Sequence, residues 1–154
     1  IGSAFSQVYL ANANQYLENQ KLYFYTKSII FKIFKLTIIP FLLLAIISPF
    51  AFGYVFGEKW EEVGLYILAM LPWYFMQILS SPVSMSLHVI GKQKIALYLQ
   101  VIGFTFRVII LFLILVNYES LGLVWYFFSG FIFYIIYLLV VLLLVKNNIN
   151  YVKG

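Results

Sequence analysis

Two apolar runs, about Val63 to Ile90 and about Ile95 to Val116, are separated only by the turn Gly91-Lys92-Gln93-Lys94. Each is long enough to cross the roughly 30 Å hydrocarbon core of a bilayer. Two more runs, about Phe34 to Phe56 and about Leu121 to Val145, stand on either side. In lipid every backbone N–H and C=O must find a partner within the protein, and spanning strands would alternate apolar with polar residues. These runs are continuous, so they predict helices. The expected fold is all-α: an integral membrane helical bundle with four complete transmembrane helices and an N-terminal partial or amphipathic helix. Only 10% of the 154 residues are charged and mean hydropathy is +1.00, far from the composition of a soluble domain. There is no cysteine, which excludes disulfides, thiolate nucleophiles and cysteine metal sites.

Residues 1–31 are the most polar part, with a helical stripe at Phe5, Val8, Tyr9, Ala13, Tyr16 and Leu17. They read as the end of a preceding helix and a cytoplasmic linker. Residues 32–146 form the four-span unit and 147–154 a short polar tail. The start at Ile1 lacks the marks of a signal peptide, and the chain is expected to be the C-terminal piece of a longer protein. Pro40 and Pro49 would kink the first span unless neighbours satisfy the freed carbonyls. The second span, counted from Trp60, is roughly 45 Å long at 1.5 Å per residue. It should therefore tilt, bend at Pro72 and Pro82, or leave its first turn in the interface.

The charges give an orientation. Lys21, Lys27, Lys32 and Lys35 precede the first span, Lys92 and Lys94 fill the central turn, and Lys146 and Lys153 end the chain. The intervening loops hold Glu58, Glu61 and Glu62 against Lys59, and then Glu119. Lysine excess on alternate loops follows the positive-inside rule. The N-terminal segment, the Lys92 turn and the C-terminus are expected in the cytoplasm. Tyr54, Trp60, Tyr118 and Trp125 fall near the outer interface, where amphipathic rings settle. This accounts for nearly all the basic residues, and no nucleic-acid partner is expected.

Arg107 lies about twelve residues into the third span, too deep to snorkel easily, and a charge there costs several kcal/mol. No Asp or Glu lies inside the four spans. A water-filled cavity holding an anion would account for it, since guanidinium matches phosphate geometry. So would an acidic partner outside these spans, or bonds to helix carbonyls and Gln77 that tie two helices together. Folding the hairpin about Lys92 sets Gln77 level with Arg107, and Ser84 level with Gln100. Gln77, Ser81, Ser84 and His88, spaced four, three and four, draw one polar stripe, while Gln100, Gly103 and Arg107 draw another. Two facing stripes can line a path, or they can serve close helix packing. His88, about one turn from the cytoplasmic turn, has the pKa range of a proton carrier, but a lone histidine more often serves as an interfacial hydrogen-bonding group. Tyr126, Gly130, Phe133 and Tyr137 share a face of the fourth span that suits packing, or stacking on sugars.

No catalytic constellation, phosphate loop or metal-ligand spacing is present. Neither an enzyme nor a cofactor is expected.

The middle of the chain, with Phe56-Gly57, Trp60, Gly64, Pro72, Ser81-Pro82, Gly91-Lys92-Gln93-Lys94 and Arg107, resembles the C-terminal half of bacterial Wzx-type polysaccharide flippases. These O-antigen and capsule exporters belong to the multidrug/oligosaccharidyl-lipid/polysaccharide exporter superfamily. Ile1-Gly2-Ser3 with Gln7-Val8 resembles the end of an earlier helix there. The resemblance covers roughly residues 1–146, is strongest over 53–107, and rests on no single diagnostic motif. It implies a multi-pass protein of the bacterial cytoplasmic membrane whose N-terminal lobe is missing here. Its partners would be membrane lipid and a lipid-diphosphate-linked oligosaccharide, moved to the outer leaflet by alternating access. Arg107 would then be a cavity cation for the diphosphate or an acidic sugar. A small-molecule exporter of the same superfamily and a small four-span structural or accessory protein are the competing expectations.

Overall fold

The computed structural model describes residues 2–18, 21–117 and 122–151, and all the regular structure among them is helical. The order is α1 (Gly2–Glu18), α2 (Leu22–Phe56), a 3-10 turn (Glu58–Trp60), α3 (Glu61–Val89), α4 (Gln93–Asn117) and α5 (Gly122–Tyr151). Helices α2 to α5 are each long and apolar enough to cross a membrane, so the protein is membrane-embedded. Most of their large apolar side chains face outward, as a lipid solvent allows.

The first span starts earlier than the hydropathy implies. Residues 22–31 are no linker: α2 runs unbroken from Leu22 through Pro40 and Pro49 for 35 residues. Its foot is amphipathic. Leu22, Thr26, Ile29, Ile33 and Thr37 are buried, while Lys27, Lys32 and Lys35 are exposed. The lysines lower the average hydropathy of a stretch that packing makes helical. At the other end α5 continues to Tyr151, so residues 147–151 of the polar tail are helical. The turn over Tyr118, Glu119 and Ser120 lies outside the described residues, as does Tyr118 as an interfacial anchor.

Both described tight turns depend on glycine. The last turn of α3 ends with Gly91 at φ +70°. The Gly91 N–H donates to the His88 carbonyl at 3.1 Å, and the Lys92 N–H reaches back to the Leu87 carbonyl at 2.7 Å. That is a Schellman cap, whose left-handed residue is cheapest as glycine. Gly57, at φ +92° and ψ +169°, sits where side chains are essentially excluded. It turns the chain between α2 and the 3-10 segment.

α3 is the centre of the bundle. It packs most extensively on α2 and α5, and also holds α1. The α2–α3 contact is close because Gly64 lies against the Ser48 carbonyl, with the Pro49 Cα at 3.0 Å from where a Cβ would stand. The main core gathers at the Lys92 end, from Tyr9 and Ala13 of α1, Ile29 and Ile33 of α2, Val83 and Leu87 of α3, Ala96 of α4, and Val141 and Val145 of α5. α1 is fastened there by a relay: the Thr26 hydroxyl donates to the Leu22 carbonyl at 2.7 Å, so the Tyr9 hydroxyl, 2.8 Å from Thr26 Oγ1, must be the donor to it. Tyr25 stacks on Tyr16 with ring centroids 4.1 Å apart.

The hairpin of α3 and α4 is present in sequence but is not the main packing pair. α4 touches α3 sparingly and leans more on α5, which lies beside both. A Cβ at Gly103 would run into the Phe133 ring, and one at Gly122 into Ile114, which fixes α4 against α5 at two levels.

Gly64→Ala should destabilise the bundle by about 1–3 kcal/mol, the cost of overpacking, since the obstacle is backbone. Gly91→Ala should cost about 1 kcal/mol through the cap alone. Unfolding titrations in mixed micelles measure both. A Gly64→Ala variant as stable as the parent would contradict the close α2–α3 approach.

Candidate functional site: a polar cavity around Arg107

A cavity of about 400 Å³ opens between α3, α4 and α5. α3 contributes Gln77, Ser80, Ser81 and Ser84, α4 contributes Gln100, Phe104 and Arg107, and α5 contributes Phe133, Tyr134 and Tyr137. Five of the six residues singled out from the sequence therefore meet at one place. His88 does not: it is exposed on the last turn of α3, and its carbonyl serves the Gly91 cap. The helical spacing that put it on the stripe carries it past the end of the cavity.

Arg107 turns inward. Its Nε donates to the Gly103 carbonyl at 3.1 Å, the guanidinium's only protein hydrogen bond among the described residues. Three rings surround it: Trp73 at 5.5 Å, Phe133 at 5.7 Å and Tyr134 at 5.9 Å. α3, α4 and α5 contain no Asp or Glu beyond Glu61 and Glu62 in the first turn of α3, so no carboxylate of these helices reaches it. A cation–π contact is worth about 0.5–1 kcal/mol where water still reaches the cation and up to about 2 kcal/mol where it does not. Three such contacts on a part-buried guanidinium offset a good part of the several kcal/mol that a mid-membrane arginine costs. The charge is thus tolerable without a carboxylate, and most of its N–H donors remain free for another acceptor. The bonding to Gln77 that a purely structural role invoked is not formed.

Gly130 makes the aromatic wall possible. A Cβ there would lie 2.7 Å from the Trp73 indole, so only glycine lets the ring settle against α5. Tyr126 meets the same indole edge-on, with centroids 5.6 Å apart. With Gly130 beside Trp73 and Gly103 beside Phe133, Gln77 is level with Gly103. Arg107 therefore starts about one turn farther from Lys92 than Gln77 and reaches back to its depth, following the usual lean of helical side chains toward the N-terminus.

The serines mostly spend their protons locally. Ser80 donates to the Met76 carbonyl at 2.7 Å and Ser84 to that of Ser81 at 2.7 Å. They therefore present oxygen lone pairs to the cavity. Gln77 Oε1 and Trp73 Nε1 are buried with no hydrogen-bond partner among the described residues, and such atoms are rare unless water or a ligand serves them. Gln100 and Phe104 are exposed, so the cavity is open along that edge of α4. Among the described residues no cluster of His, Asp or Glu has the makings of a metal site. The arrangement can hold an anion of modest size beside a cation with apolar, ring-lined flanks.

Sequence reasoning missed Trp73 and Tyr134. In an apolar span they are indistinguishable from packing residues, and only their spacing from Gln77 and Tyr137 tied them to the polar stripe. Comparisons with protein-family models, curated proteins and solved structures found no match to this chain.

Since the chain lacks cysteine, single replacements report access cleanly. Ser81→Cys should react faster with a sulfonate-bearing thiosulfonate reagent than with its trimethylammonium analogue, by about tenfold, the effect of about 1.4 kcal/mol of Coulomb energy. Arg107→Gln should erase that preference. Phe112→Cys, on the exposed apolar face of α4, should resist both reagents.

Proposed function

We propose that this chain is the C-terminal lobe of a bacterial flippase that moves lipid-diphosphate-linked oligosaccharide from the cytoplasmic to the outer leaflet for surface polysaccharide assembly. It performs no covalent chemistry. It lowers the barrier for a charged headgroup by offering a cationic, polar path between lobes that rock about it. The N-terminal segment, the Lys92 turn and the C-terminus face the cytoplasm, as the alternation of lysine requires.

The observation that carries this reading is the state of Arg107. It is part-buried at the wall of a cavity with Gln77, Ser81, Ser84 and Gln100, and has ring neighbours but only one hydrogen bond among the described residues. A purely structural arginine would have its donors filled by the protein. The exposed Gln100 supports the reading further, because an amide facing acyl chains is costly and an edge facing a second lobe is not. The resemblance from Phe56 to Arg107 supplies the cargo class. Phosphate fits a guanidinium fork, and sugar rings fit the aromatic faces of Phe133, Tyr134 and Tyr137.

In cells carrying the full protein, Arg107→Ala should abolish surface polysaccharide at an unchanged membrane level of the transporter. Arg107→Lys should restore only part of it, because lysine keeps the charge and loses the fork. Normal polysaccharide with Arg107→Ala would remove this residue from the mechanism.

A further inference from the structure

A second cavity, of about 350 Å³, lies between α2 and α5 and is lined by Lys27, Ile30, Phe31, Phe34, Leu138 and Leu142. It is separate from the Arg107 cavity and shares none of its residues. The walls are apolar except at Lys27. On α2 the residues Lys27, Phe31 and Lys35 follow one another at four-residue spacing, so they stand in one row along the helix. The Lys35 ammonium lies over the Phe31 ring at 4.5 Å from its centroid, and that of Lys27 over Tyr23 at 5.7 Å. On α5, Leu138, Leu142 and Lys146 repeat the same spacing, and Lys146 is exposed one turn beyond the groove wall. α2 and α5 run in opposite directions, and Ile29 and Ile33 share one core with Val141 and Val145, so Lys146, one turn beyond Leu142, lies toward the same end of the groove as Lys27. Neither helix contains Asp or Glu, so this cationic mouth has no compensating charge on the helices that form it.

An apolar slot ending in two lysines from facing helices has the chemistry of an acyl chain continued by a phosphate. Basic pockets between spanning helices bind anionic head groups in this way. We propose that this groove holds one anionic phospholipid, with an acyl chain against Ile30, Phe34, Leu138 and Leu142 and its phosphate between Lys27 and Lys146. The site selects by charge: a zwitterionic lipid fills the slot equally well but brings its own cation to the lysines. It is independent of the transport reading and would hold for any job of the bundle.

The test is native mass spectrometry of the full chain released from nanodiscs of equal phosphatidylglycerol and phosphatidylcholine. The parent should retain one phosphatidylglycerol, preferred by about fivefold for each lysine engaged. Lys27→Gln with Lys146→Gln should abolish the preference while helicity is unchanged. Lys59→Gln, at the opposite end of the bundle, should leave it intact. Leu142→Trp should reduce retention of both lipids by filling the slot. Equal retention of the two lipids by the parent, a surviving preference in the double variant, or undiminished retention with Leu142→Trp would each overturn the proposal. A lipid-free dimer would also overturn it and assign the groove to a second copy of the chain.

Discussion

A single guanidinium in the interior of an apolar bundle must be solvated by something, and the geometry of α3, α4 and α5 follows from how that is done. Arg107 is the chain's one arginine. Rings, a backbone carbonyl and a polar cavity stand where a soluble protein would place a carboxylate. A carboxylate would neutralise the charge and fill its donors. Rings attract the cation from their faces and leave the N–H groups unspent. That difference separates an arginine whose donors are filled by the helices it joins from one whose donors stay open.

The same requirement explains where the bundle is tight and where it is loose. Glycines bring α3 against α2 at Gly64 and allow Trp73 to lie against α5 at Gly130. A side chain at Gly130 would push the indole off α5, and one at Gly64 would push α2 off α3. Small residues set such distances in membranes, where no hydrophobic driving force pulls helices together. α4 is attached chiefly through Gly103 and Gly122 against α5, and the gap it leaves with α3 is the Arg107 cavity. A fully zipped α3–α4 hairpin would have no cavity at all.

Much of this was legible in the residues and some was not. Apolar run length identified four of the five helices among the described residues, and the spacing of Gln77, Ser81 and Ser84 identified the lined face, because both are local properties of one helix. The foot of α2 was hidden by its lysines, since averaged hydropathy cannot see that Thr26, Ile29 and Ile33 share a buried side. His88 kept the right spacing but ran out of cavity. The insertion of α5 beside both α3 and α4 could not be read from any one run, because a lipid-facing phenylalanine and a cavity-lining one look alike. Trp73 and Tyr134 were missed for that reason. The cargo we propose comes from resemblance and from the fit between guanidinium and phosphate, neither of which is a property of one helix.

Because the arginine is unique, labelling the chain with 15N-arginine gives the Nε and Nη signals of a single guanidinium, and water-edited solid-state NMR of the protein in bilayers reads its surroundings directly. The account predicts rapid magnetisation transfer from water to the Arg107 guanidinium and little from lipid methylenes, at a depth where neighbouring α4 residues such as Phe112 show the reverse. Transfer from acyl chains with none from water would contradict it.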